Sequence, residues 1–417
     1  MKIAVVGGGF TGISCALALV KNGAEVVVFE ESSSLGGLAG GVKAETWKWS
    51  LEYFYHHVFT NDKEILALAK EVGVGILIKK PVTTSFLNGK ETQLDSPVSV
   101  LKFSQMSIWG RLRMGFGLAI LKTIPNGVFL EKYKVVDYLP ILIGTEGYKI
   151  VWEKLLRAKF GPFTDTVNMA WFWTRVAKRT KNLGYFDGGF QNLAEKTGRK
   201  ISELGGSIQL GARVKNIERE DDGKWRVDGV VFDGVVVTSP APVAKQILKG
   251  ITLNFPKIDY LWGQTVMLEL KQKLIRGYWM NILEKNWPFL VVVEHTNMID
   301  KKYYGSNRVV YLGNYLHEES AQLKMTEEEL VTLYLPYLRK INKTFKKKWI
   351  KNIRVFRKPF AQPVFPINFE KQLPKIKTSL RGLYLANMSM VYPYDRGTNY
   401  AVKMGNEVAK VVLGELR

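Results

Sequence analysis

The chain has 417 residues, of which 46% are hydrophobic and 12% aromatic, so it can bury a large core and is not a disordered polymer. Its one cysteine, Cys15, excludes an internal disulfide and a cysteine metal cluster, and four histidines leave little material for another metal site. The formal net charge of +22 favours an anionic partner, but the sequence has no recognised nucleic-acid-binding module and we expect no nucleic acid to bind.

The first thirty residues have the pattern of a strand, a helix and a second strand. Residues 2–6 are apolar and β-branched, residues 11–21 show apolar side chains at helical spacing, and residues 24–29 form another apolar run. Such a βαβ unit has parallel strands, and a parallel sheet is covered by helices on both faces. We therefore expect an α/β fold that opens with a Rossmann-like motif.

The rest of the chain alternates between helical and β-rich segments. Helical patterns occupy most of 76–180, short strands 207–238 and 259–315, a helix 326–340, and a last strand and helix 382–386 and 401–413. This order predicts a nucleotide-binding domain with a parallel sheet, assembled from the discontinuous segments 1–75, 181–250 and 376–417. An inserted α+β substrate-binding domain would then comprise 76–180 and 251–375.

Membrane-spanning segments are not expected. No stretch approaches the ~20 apolar residues that a spanning helix needs, since the best candidate, 114–130, is broken by Lys122, Pro125 and Asn126. The N-terminus also lacks a signal-peptide pattern, because its apolar run ends at Gly7. We expect a cytoplasmic protein, and the positive charge leaves open a peripheral contact with an anionic membrane at the inner face.

A glycine-rich motif, Gly7-Gly8-Gly9-Phe10-Thr11-Gly12, lies between the first predicted strand and helix. In G-x-G-x-x-G the first glycine permits a tight turn, the second lets the backbone approach a pyrophosphate, and the third allows close packing of helix on strand. The pyrophosphate would lie at the helix N-terminus, where unpaired N–H groups favour negative charge. Glu30, about 20 residues further on, is placed to accept hydrogen bonds from the ribose hydroxyls.

A second signature follows, Glu30-Glu31-Ser32-Ser33-Ser34-Leu35-Gly36-Gly37, which continues into Leu38 and Ala39. An acid and paired glycines so close behind the first motif resemble the flavoprotein superfamily of amine oxidases, protoporphyrinogen oxidases, phytoene desaturases and UDP-galactopyranose mutases. The resemblance implies FAD as cofactor, with Glu31 and the residues from Gly36 to Ala39 near it. It also implies non-covalent binding, because the C-terminal segment, where several relatives attach flavin, has no histidine or cysteine.

Two later segments carry the same resemblance. Around Val214 the chain resembles the superfamily's return to the nucleotide domain, which implies that the Val214 backbone holds the adenine. The run Gly382-Leu383-Tyr384-Leu385-Ala386 resembles the strand before an aspartate that binds the ribityl chain, and Asn387 takes that place here. Gly397, Thr398 and Asn399 would offer N–H donors to the flavin pyrimidine edge from the start of a helix.

No motif determines the catalytic residues. The candidates are His56 and His57, in an aromatic segment after the glycine pair, with Tyr394 and Arg396 near the C-terminus. A buried, hydrogen-bonded histidine in an aromatic loop is an equally good interpretation of either histidine.

Three functions are compatible with the resemblance. The first is an FAD-dependent oxidoreductase of the protoporphyrinogen oxidase or amine oxidase type, which transfers a hydride from an apolar or acidic, small-molecule or lipid-like substrate to flavin N5. The second is a mutase that acts on a sugar nucleotide without net redox change, because residues 53–62 and the C-terminal Tyr392, Tyr394 and Asp395 resemble segments of UDP-galactopyranose mutases. The third is a non-enzymatic escort protein of the same fold. Intact glycine pairs disfavour the third, and we take the first as the main hypothesis.

The positive charge is densest in residues 343–358. Eight basic residues there alternate with aromatic ones, Phe345, Trp349 and Phe356. This basic segment is either a solvated face or a guide for an anionic membrane or substrate. If the segment contacts a partner, its aromatic side chains would add apolar contact to the interface. Their spacing also suits a strand at the edge of a sheet, with the aromatic side chains turned into the core.

Overall fold

The structure is a computed structural model that describes residues 1–394 and 396–416. Within these residues the chain forms twenty strands, which are, in chain order, β1 (Lys2–Val6), β2 (Glu25–Glu30), β3 (Gly41–Val42), β4 (Leu51–Glu52), β5 (Val58–Phe59), β6 (Ile76–Lys79), β7 (Thr83–Leu87), β8 (Lys90–Gln93), β9 (Leu183–Phe186), β10 (Ser207–Leu210), β11 (Ile217–Arg219), β12 (Trp225–Val227), β13 (Val230–Phe232), β14 (Gly234–Val237), β15 (Asp259–Leu270), β16 (Trp279–Ile282), β17 (Val291–Glu294), β18 (Arg308–Leu316), β19 (Ile350–Val364) and β20 (Leu383–Leu385). The described part of the chain also contains twelve α-helices, which are α1 (Phe10–Val20), α2 (Lys63–Glu71), α3 (Pro97–Leu101), α4 (Ile108–Thr123), α5 (Val135–Ile143), α6 (Thr145–Gly147), α7 (Glu153–Phe160), α8 (Met169–Ala177), α9 (Gly189–Glu203), α10 (Ala241–Ile247), α11 (Glu327–Ile341) and α12 (Thr398–Leu416).

Five parallel strands form one sheet in the order β10-β2-β1-β14-β20. The central strand β1 pairs with β2 on one side and β14 on the other, and its residues from Ile3 to Val6 are buried. The strands come from separate stretches of the chain, because β10 and β14 follow α9 and β20 directly precedes the C-terminal region. The prediction of an α/β fold with a parallel, discontinuous sheet is confirmed.

Helices α1 and α12 cross at a point that has no room for side chains. A Cβ on Gly405 of α12 would lie 2.4 Å from the Thr11 carbonyl oxygen and 2.9 Å from the Cys15 nitrogen. The two backbones are therefore in contact, which fixes α12 beside the first turns of α1. Cys15 is fully buried there, and burial raises the pKa of its thiol, as suits a packing residue.

A second sheet has seven strands in the order β19-β15-β18-β17-β16-β7-β8. Its long strands are antiparallel, whereas β16 and β7 run parallel. The buried face of α11 packs on this sheet, and helices α4, α5, α7 and α8 share a separate core that includes Phe172 and Trp173. The boundaries predicted for the nucleotide-binding and substrate-binding domains stay a prediction.

Two small sheets connect the glycine-rich region to the rest. β3 pairs with β4, and β9 lies between β5 and β6. Because β5 follows His57 directly and pairs with β9, the histidine pair is held near the start of α9. Among the described helices, none is both long enough and apolar enough to cross a bilayer.

The aromatic side chains of the basic segment 343–358 pack against the fold, as predicted for a strand at the edge of a sheet. Its later part belongs to β19, at the edge of the seven-stranded sheet, and its aromatic side chains are engaged in packing. Phe345 is 2% exposed with its ring 5.5 Å from that of Trp349, and the Phe356 ring lies 5.0 Å from the Tyr53 ring. The segment therefore presents lysines to solvent, and its aromatic residues stabilise the fold.

Candidate functional site

The glycine-rich turn follows β1 at the carboxyl edge of the parallel sheet. Gly7 has a φ of +110°, a backbone conformation that residues with a side chain rarely adopt. Its N–H donates to the Phe29 carbonyl at 2.8 Å. A Cβ on Gly12 would lie 1.9 Å from the Gly7 carbonyl oxygen. Only glycine therefore allows α1 to start this close to the strand.

The second glycine pair lies beside this turn. Gly36 forms a parallel bridge with Gly9, and its N–H donates to the Gly8 carbonyl at 2.9 Å. A Cβ on Gly9 would meet nothing nearer than the Gly37 Cα at 3.9 Å, and the Gly9 φ of −70° suits any residue. Neither packing nor conformation requires glycine at this position. The open space at Gly9 fits a bound pyrophosphate that needs the backbone to approach it.

The other residues predicted around the pyrophosphate surround the two turns. Phe10 is buried, and its ring lies 6.4 Å from that of Phe190. Leu38 and Ala39 share a single 3₁₀ turn, Gly37–Ala39, in which Ala39 is buried and Leu38 half-buried. These positions frame the open space at Gly9 without filling it.

Glu30, the last residue of β2, and Glu31, which follows it, lie in opposite environments. Glu30 is 7% exposed, and its carboxylate accepts the N–H of Gly8 at 2.6 Å and that of Ser32 at 2.8 Å. The exposed Glu31 carboxylate lies 3.8 Å from Arg213 Nε. Glu30 is thus the acid that is held against the glycine turn. A carboxylate has about four lone-pair sites, so Glu30 keeps capacity for ribose hydroxyls.

Val214 follows a short segment that is hydrogen-bonded to the chain at the end of β2. The Ala212 N–H donates to the Glu30 carbonyl at 2.8 Å, and the Gly211 N–H donates to the Ser32 carbonyl at 2.9 Å. Val214 is 7% exposed, and its main-chain groups form no hydrogen bond within the described residues. Unpaired main-chain groups beside the ribose acid fit the predicted contact with an adenine.

Asn387 follows β20 at the same edge of the sheet. It is 2% exposed, and its Oδ1 accepts the Ser389 N–H at 3.1 Å and the Ser389 hydroxyl at 2.6 Å. Its Nδ2 is buried and has no hydrogen-bond partner in the part of the chain that the structure describes. Such a donor is costly to leave unpaired, and a ribityl hydroxyl would supply the acceptor.

The start of α12 links two helices, in addition to its predicted role as a donor of N–H groups to the flavin. Asn399 Oδ1 accepts the N–H of Glu64 at 2.9 Å and that of Ile65 at 3.2 Å, so this side chain ties α12 to the first turn of α2. Thr398 is buried, and the Gly397 carbonyl accepts the Ala401 N–H at 3.0 Å. The predicted flavin contact would therefore use main-chain N–H groups of this turn.

Arg396 directly precedes this turn. It belongs to a cluster of tyrosine and arginine side chains that joins the C-terminal segment to the seven-stranded sheet. Arg396 donates to the Ala361 carbonyl, to Gln362 Oε1 at 3.0 Å and to the Tyr315 hydroxyl. Tyr55 packs against the strand that carries Tyr315, since a Cβ on Gly313 of β18 would lie 2.4 Å from the Tyr55 ring. We call Tyr55, Arg175, Tyr315 and Arg396 the Tyr–Arg cluster.

Cations surround the phenols of this cluster. The Arg175 guanidinium carbon lies 4.3 Å from the centre of the Trp171 ring, and Lys159 Nζ lies 4.3 Å from the centre of the Tyr315 ring. Burial raises the pKa of Tyr55 well above its usual range, although the charges of Arg396 and Arg175 oppose that shift. The cluster thus combines fixed positive charge with neutral hydroxyl groups.

His56 and His57 follow Tyr55 and are both neutral at physiological pH. His56 Nδ1 lies 2.5 Å from the Phe54 carbonyl oxygen, and burial lowers the His56 pKa to about 4. His57 Nδ1 lies 3.4 Å from the Tyr278 hydroxyl, and burial, together with the charge of Arg179, lowers the His57 pKa to about 3. The carbonyl contact requires the proton on His56 Nδ1, which leaves Nε2 as an acceptor.

Tyr394 packs in a different direction from the Tyr–Arg cluster. Its ring stacks on Tyr400, with the ring centres 4.6 Å apart and an angle of 8° between the planes. The neighbouring Asp395 lies outside the described residues. Of the four candidates from the sequence, Arg396 is therefore the one with direct contacts to the cluster, and the catalytic assignments stay predictions.

Three residues with notable environments were not singled out from the sequence: Tyr55, Tyr315 and Glu52. Glu52 is 1% exposed and accepts the Phe190 N–H at 2.7 Å and the Tyr185 hydroxyl at 3.0 Å, and burial raises its pKa to about 7. No local pattern marks these positions. They become neighbours of the site through strand pairing between distant parts of the chain.

A parallel sheet with this glycine turn, a buried acid at the end of the second strand and an unpaired amide at the far edge defines a dinucleotide-binding flavoprotein of the Rossmann-like type. The model of the family "Flavin containing amine oxidoreductase" matches residues 10–413. The chain belongs to this family, and it is an FAD-dependent oxidoreductase by class. The expected superfamily and the expected cofactor FAD are confirmed.

Individual relatives are distant. The 15-cis-phytoene desaturase of Arabidopsis thaliana is 24% identical over 355 residues, which are 74% of this chain and 61% of that protein. An oxidoreductase structure from Methanosarcina mazei has a TM-score of 0.75 at 17% identity, covering 98% of this chain and 100% of the other. A reduced UDP-galactopyranose mutase has a TM-score of 0.78 at 15% identity, covering 99% and 95%. The two structures share the fold.

Proposed function

We propose that the protein oxidises an apolar, small-molecule or lipid-like substrate that carries an anionic group, and that the Tyr–Arg cluster holds this group. The cofactor, when bound, would supply the redox chemistry: its flavin N5 atom would accept a hydride from a substrate C–H bond, and oxygen or another acceptor would then reoxidise it. The observation that carries the proposal is that two cations flank one phenol of the cluster, since the Arg396 guanidinium carbon lies 4.7 Å and Lys159 Nζ lies 4.3 Å from the centre of the Tyr315 ring.

The charge of the cluster supports an anionic group on the substrate. Fixed guanidinium groups bind carboxylates or phosphates through strong, charge-assisted hydrogen bonds. Lys159, beside Tyr315, adds a third positive charge, and the nearby histidines are neutral. This electrostatic environment attracts an anion and repels a protonated amine.

The rings around Tyr55 support an apolar body for the same substrate. The Tyr55 ring lies 5.0 Å from that of Trp279 and 6.1 Å from that of Tyr311. A Cβ on Gly313 would lie 2.4 Å from the Tyr55 ring, so the missing side chain on β18 makes room for it. Aromatic walls with a few fixed polar groups are typical of small-molecule sites and exclude water from the reacting atoms.

The proposal is tested by anaerobic reduction of the bound flavin with matched substrates. An apolar carboxylic acid, its amide and the corresponding amine are mixed with the FAD-bound protein, and bleaching of the flavin absorbance is followed. We expect the acid to reduce flavin faster than the amide or the amine. Equal rates, or preference for the amine, would contradict the proposal.

Variants connect this preference to the cluster. Arg175→Gln should reduce the preference for the acid over its amide by about tenfold or more, because a hydrogen bond to a charged group contributes about 1.5–3 kcal/mol. Arg157→Gln is the matched control, since Arg157 is 56% exposed and pairs with Glu153. Both variants should keep the flavin spectrum of the parent protein, which shows that the nucleotide end is intact.

The mutase hypothesis stays as the second candidate, because arginine and tyrosine side chains could equally hold the diphosphate of a sugar nucleotide. The two functions differ in electron balance. A mutase would isomerise a UDP-sugar with chemically reduced flavin and consume no electron acceptor, whereas the oxidase would stop without one. Product analysis by chromatography, with the acceptor present and absent, distinguishes the two hypotheses.

A further inference from the structure

The helical region from α3 to α5 exposes many apolar side chains. Ten of the sixteen exposed large hydrophobic residues in the described part of the chain lie within 98–141, namely Val98, Leu101, Ile108, Trp109, Leu112, Phe116, Ile120, Phe129, Tyr133 and Ile141. Contiguous exposed apolar surface marks a site of interaction with another molecule or a membrane. The concentration in one region therefore indicates a docking surface.

Helix α4 is the centre of this region and is apolar on two sides. Its inner side is buried in the helical core and consists of Met114, Gly117 and Leu121. Its outer side repeats every fourth residue and consists of Ile108, Leu112, Phe116 and Ile120. This spacing forms a single stripe along a helix. Trp109 lies beside the stripe and is 77% exposed, the largest fraction among these side chains.

Two arginines of α4 hold neighbouring apolar residues next to the stripe. Arg113 Nη2 donates to the Ile141 carbonyl at 2.6 Å, and Arg111 Nη1 donates to the Leu101 carbonyl at 2.5 Å. Leu101 ends α3 and Ile141 belongs to α5, so three helices contribute to one surface. A shallow groove of about 510 Å³ between α4 and the Gly144 turn is lined by Trp109 and other residues of this surface.

The charged residues within this surface are mostly basic. Between residues 98 and 141 the exposed or half-buried charges are Lys102, Arg111, Arg113, Lys122, Lys132, Lys134 and one acid, Asp137. Glu131 is 6% exposed and accepts the Tyr392 hydroxyl at 2.9 Å inside the fold, and Glu146, which lines the groove, accepts the Ser107 hydroxyl at 2.5 Å. An apolar stripe bordered by basic side chains matches an anionic lipid surface in both charge and polarity.

We propose that α4 docks the protein on an anionic lipid bilayer. The stripe lies at the boundary between headgroups and acyl chains, and the flanking lysines and arginines contact the headgroups. With sixteen residues, α4 is about 24 Å long, which suits a helix that lies in the plane of the interface. A second copy of the chain fits less well, because two such basic surfaces repel each other. This proposal does not depend on the substrate assigned above.

Vesicle flotation of the FAD-bound protein tests the proposal. We expect binding to vesicles of phosphatidylglycerol and phosphatidylcholine at low salt, and much less binding at high salt. Trp109→Ser combined with Phe116→Ser should reduce the bound fraction by about tenfold or more, since each exposed ring supplies apolar area to the interface. Leu204→Ser combined with Leu210→Ser is the matched control, because both leucines are exposed outside this surface, at 42% and 47%.

Three results would overturn the proposal. The first is no binding to anionic vesicles at low salt, and the second is binding that the Trp109 and Phe116 variant retains in full. The third is self-association in the absence of vesicles that this variant abolishes, combined with no vesicle binding, because the stripe would then be a protein interface. Neutralising the lysines of the basic segment 343–358 should change binding less than the variant of α4 does.

Discussion

The two ends of the candidate site are built in different ways. At the nucleotide end, Gly7, Glu30 and Gly36 are fixed within the first forty residues, mostly by main-chain hydrogen bonds. At the other end, Tyr55, Arg175, Tyr315 and Arg396 come from four distant parts of the chain and meet through their side chains. The turn between β1 and α1 should therefore tolerate no added atom at Gly12, whereas the Tyr–Arg cluster should tolerate changes that alter charge without unfolding the protein.

The strongest test of this difference is Gly12→Ala. Its Cβ would lie 1.9 Å from the Gly7 carbonyl oxygen, so the variant should lose about 3 kcal/mol or more of unfolding free energy and also lose FAD. Denaturant unfolding measures the first quantity, and the flavin absorbance of the purified protein measures the second. Gly414→Ala is the control, because a Cβ at that helical position has nothing within 4 Å. A Gly12→Ala protein as stable as the control would contradict this account of the turn.

Gly9→Val should separate cofactor binding from folding. A Cβ at Gly9 faces open space, so the unfolding free energy of the FAD-free protein should change by less than about 1 kcal/mol. The new side chain would occupy the space of the pyrophosphate, and the dissociation constant of FAD should rise at least about tenfold, which is 1.4 kcal/mol. Fluorescence titration of the FAD-free protein measures this constant. Unchanged affinity would mean that the pyrophosphate lies elsewhere.

Glu30→Ala should weaken FAD binding by about 1–3 kcal/mol, because the ribose hydroxyls lose a charged acceptor. Part of this loss would come from the turn itself, since Glu30 also accepts the N–H groups of Gly8 and Ser32. Glu30→Gln keeps one acceptor oxygen and should fall between the parent and Glu30→Ala. The matched control is Glu25→Ala at the opposite end of β2, whose exposed carboxylate pairs with Lys2 and should not matter for the same titration.

The smallest expected effect is a pH dependence caused by the half-buried histidines, His56 and His57. Folding lowers the pKa of His56 to about 4 and that of His57 to about 3, from a usual value of 6.5. Below about pH 6.5 the unfolded chain binds protons that the folded protein does not, so stability is present above this pH and is lost as the pH falls towards 4. Each histidine should contribute about 1 kcal/mol of this loss between about pH 7 and about pH 5.5.

Thermal unfolding across this range, with His57→Gln as the test variant, measures that contribution. The variant should lose less stability than the parent as the pH falls. His317→Gln is the control, because His317 lies in a partly exposed loop next to Glu319. If His57→Gln follows the parent curve throughout, His57 is solvated in the folded protein and is not held neutral there.

The local architecture of the nucleotide half could be predicted from the amino-acid sequence alone. The βαβ unit, the positions of Gly7, Gly9 and Gly12, and the acid at Glu30 could all be read from spacing along the chain. The physical reason is that strands, helices and tight turns impose requirements on residues close in sequence. A glycine where no Cβ fits, or an apolar side chain at every third or fourth position, is visible without knowledge of the rest of the fold.

Only the tertiary structure decided which side chains meet at the reactive end and which apolar residues face outward. Tyr55 and Tyr315 become partners because β18 places Gly313 beside the Tyr55 ring, a contact that no spacing predicts. Phe356 of the basic segment 343–358 packs against Tyr53 because β19 pairs with β15, whereas α4 keeps Trp109 and Phe116 exposed because its other side fills the core. Both outcomes depend on long-range packing, which selects one face of each element for burial and leaves the other to solvent or to a partner.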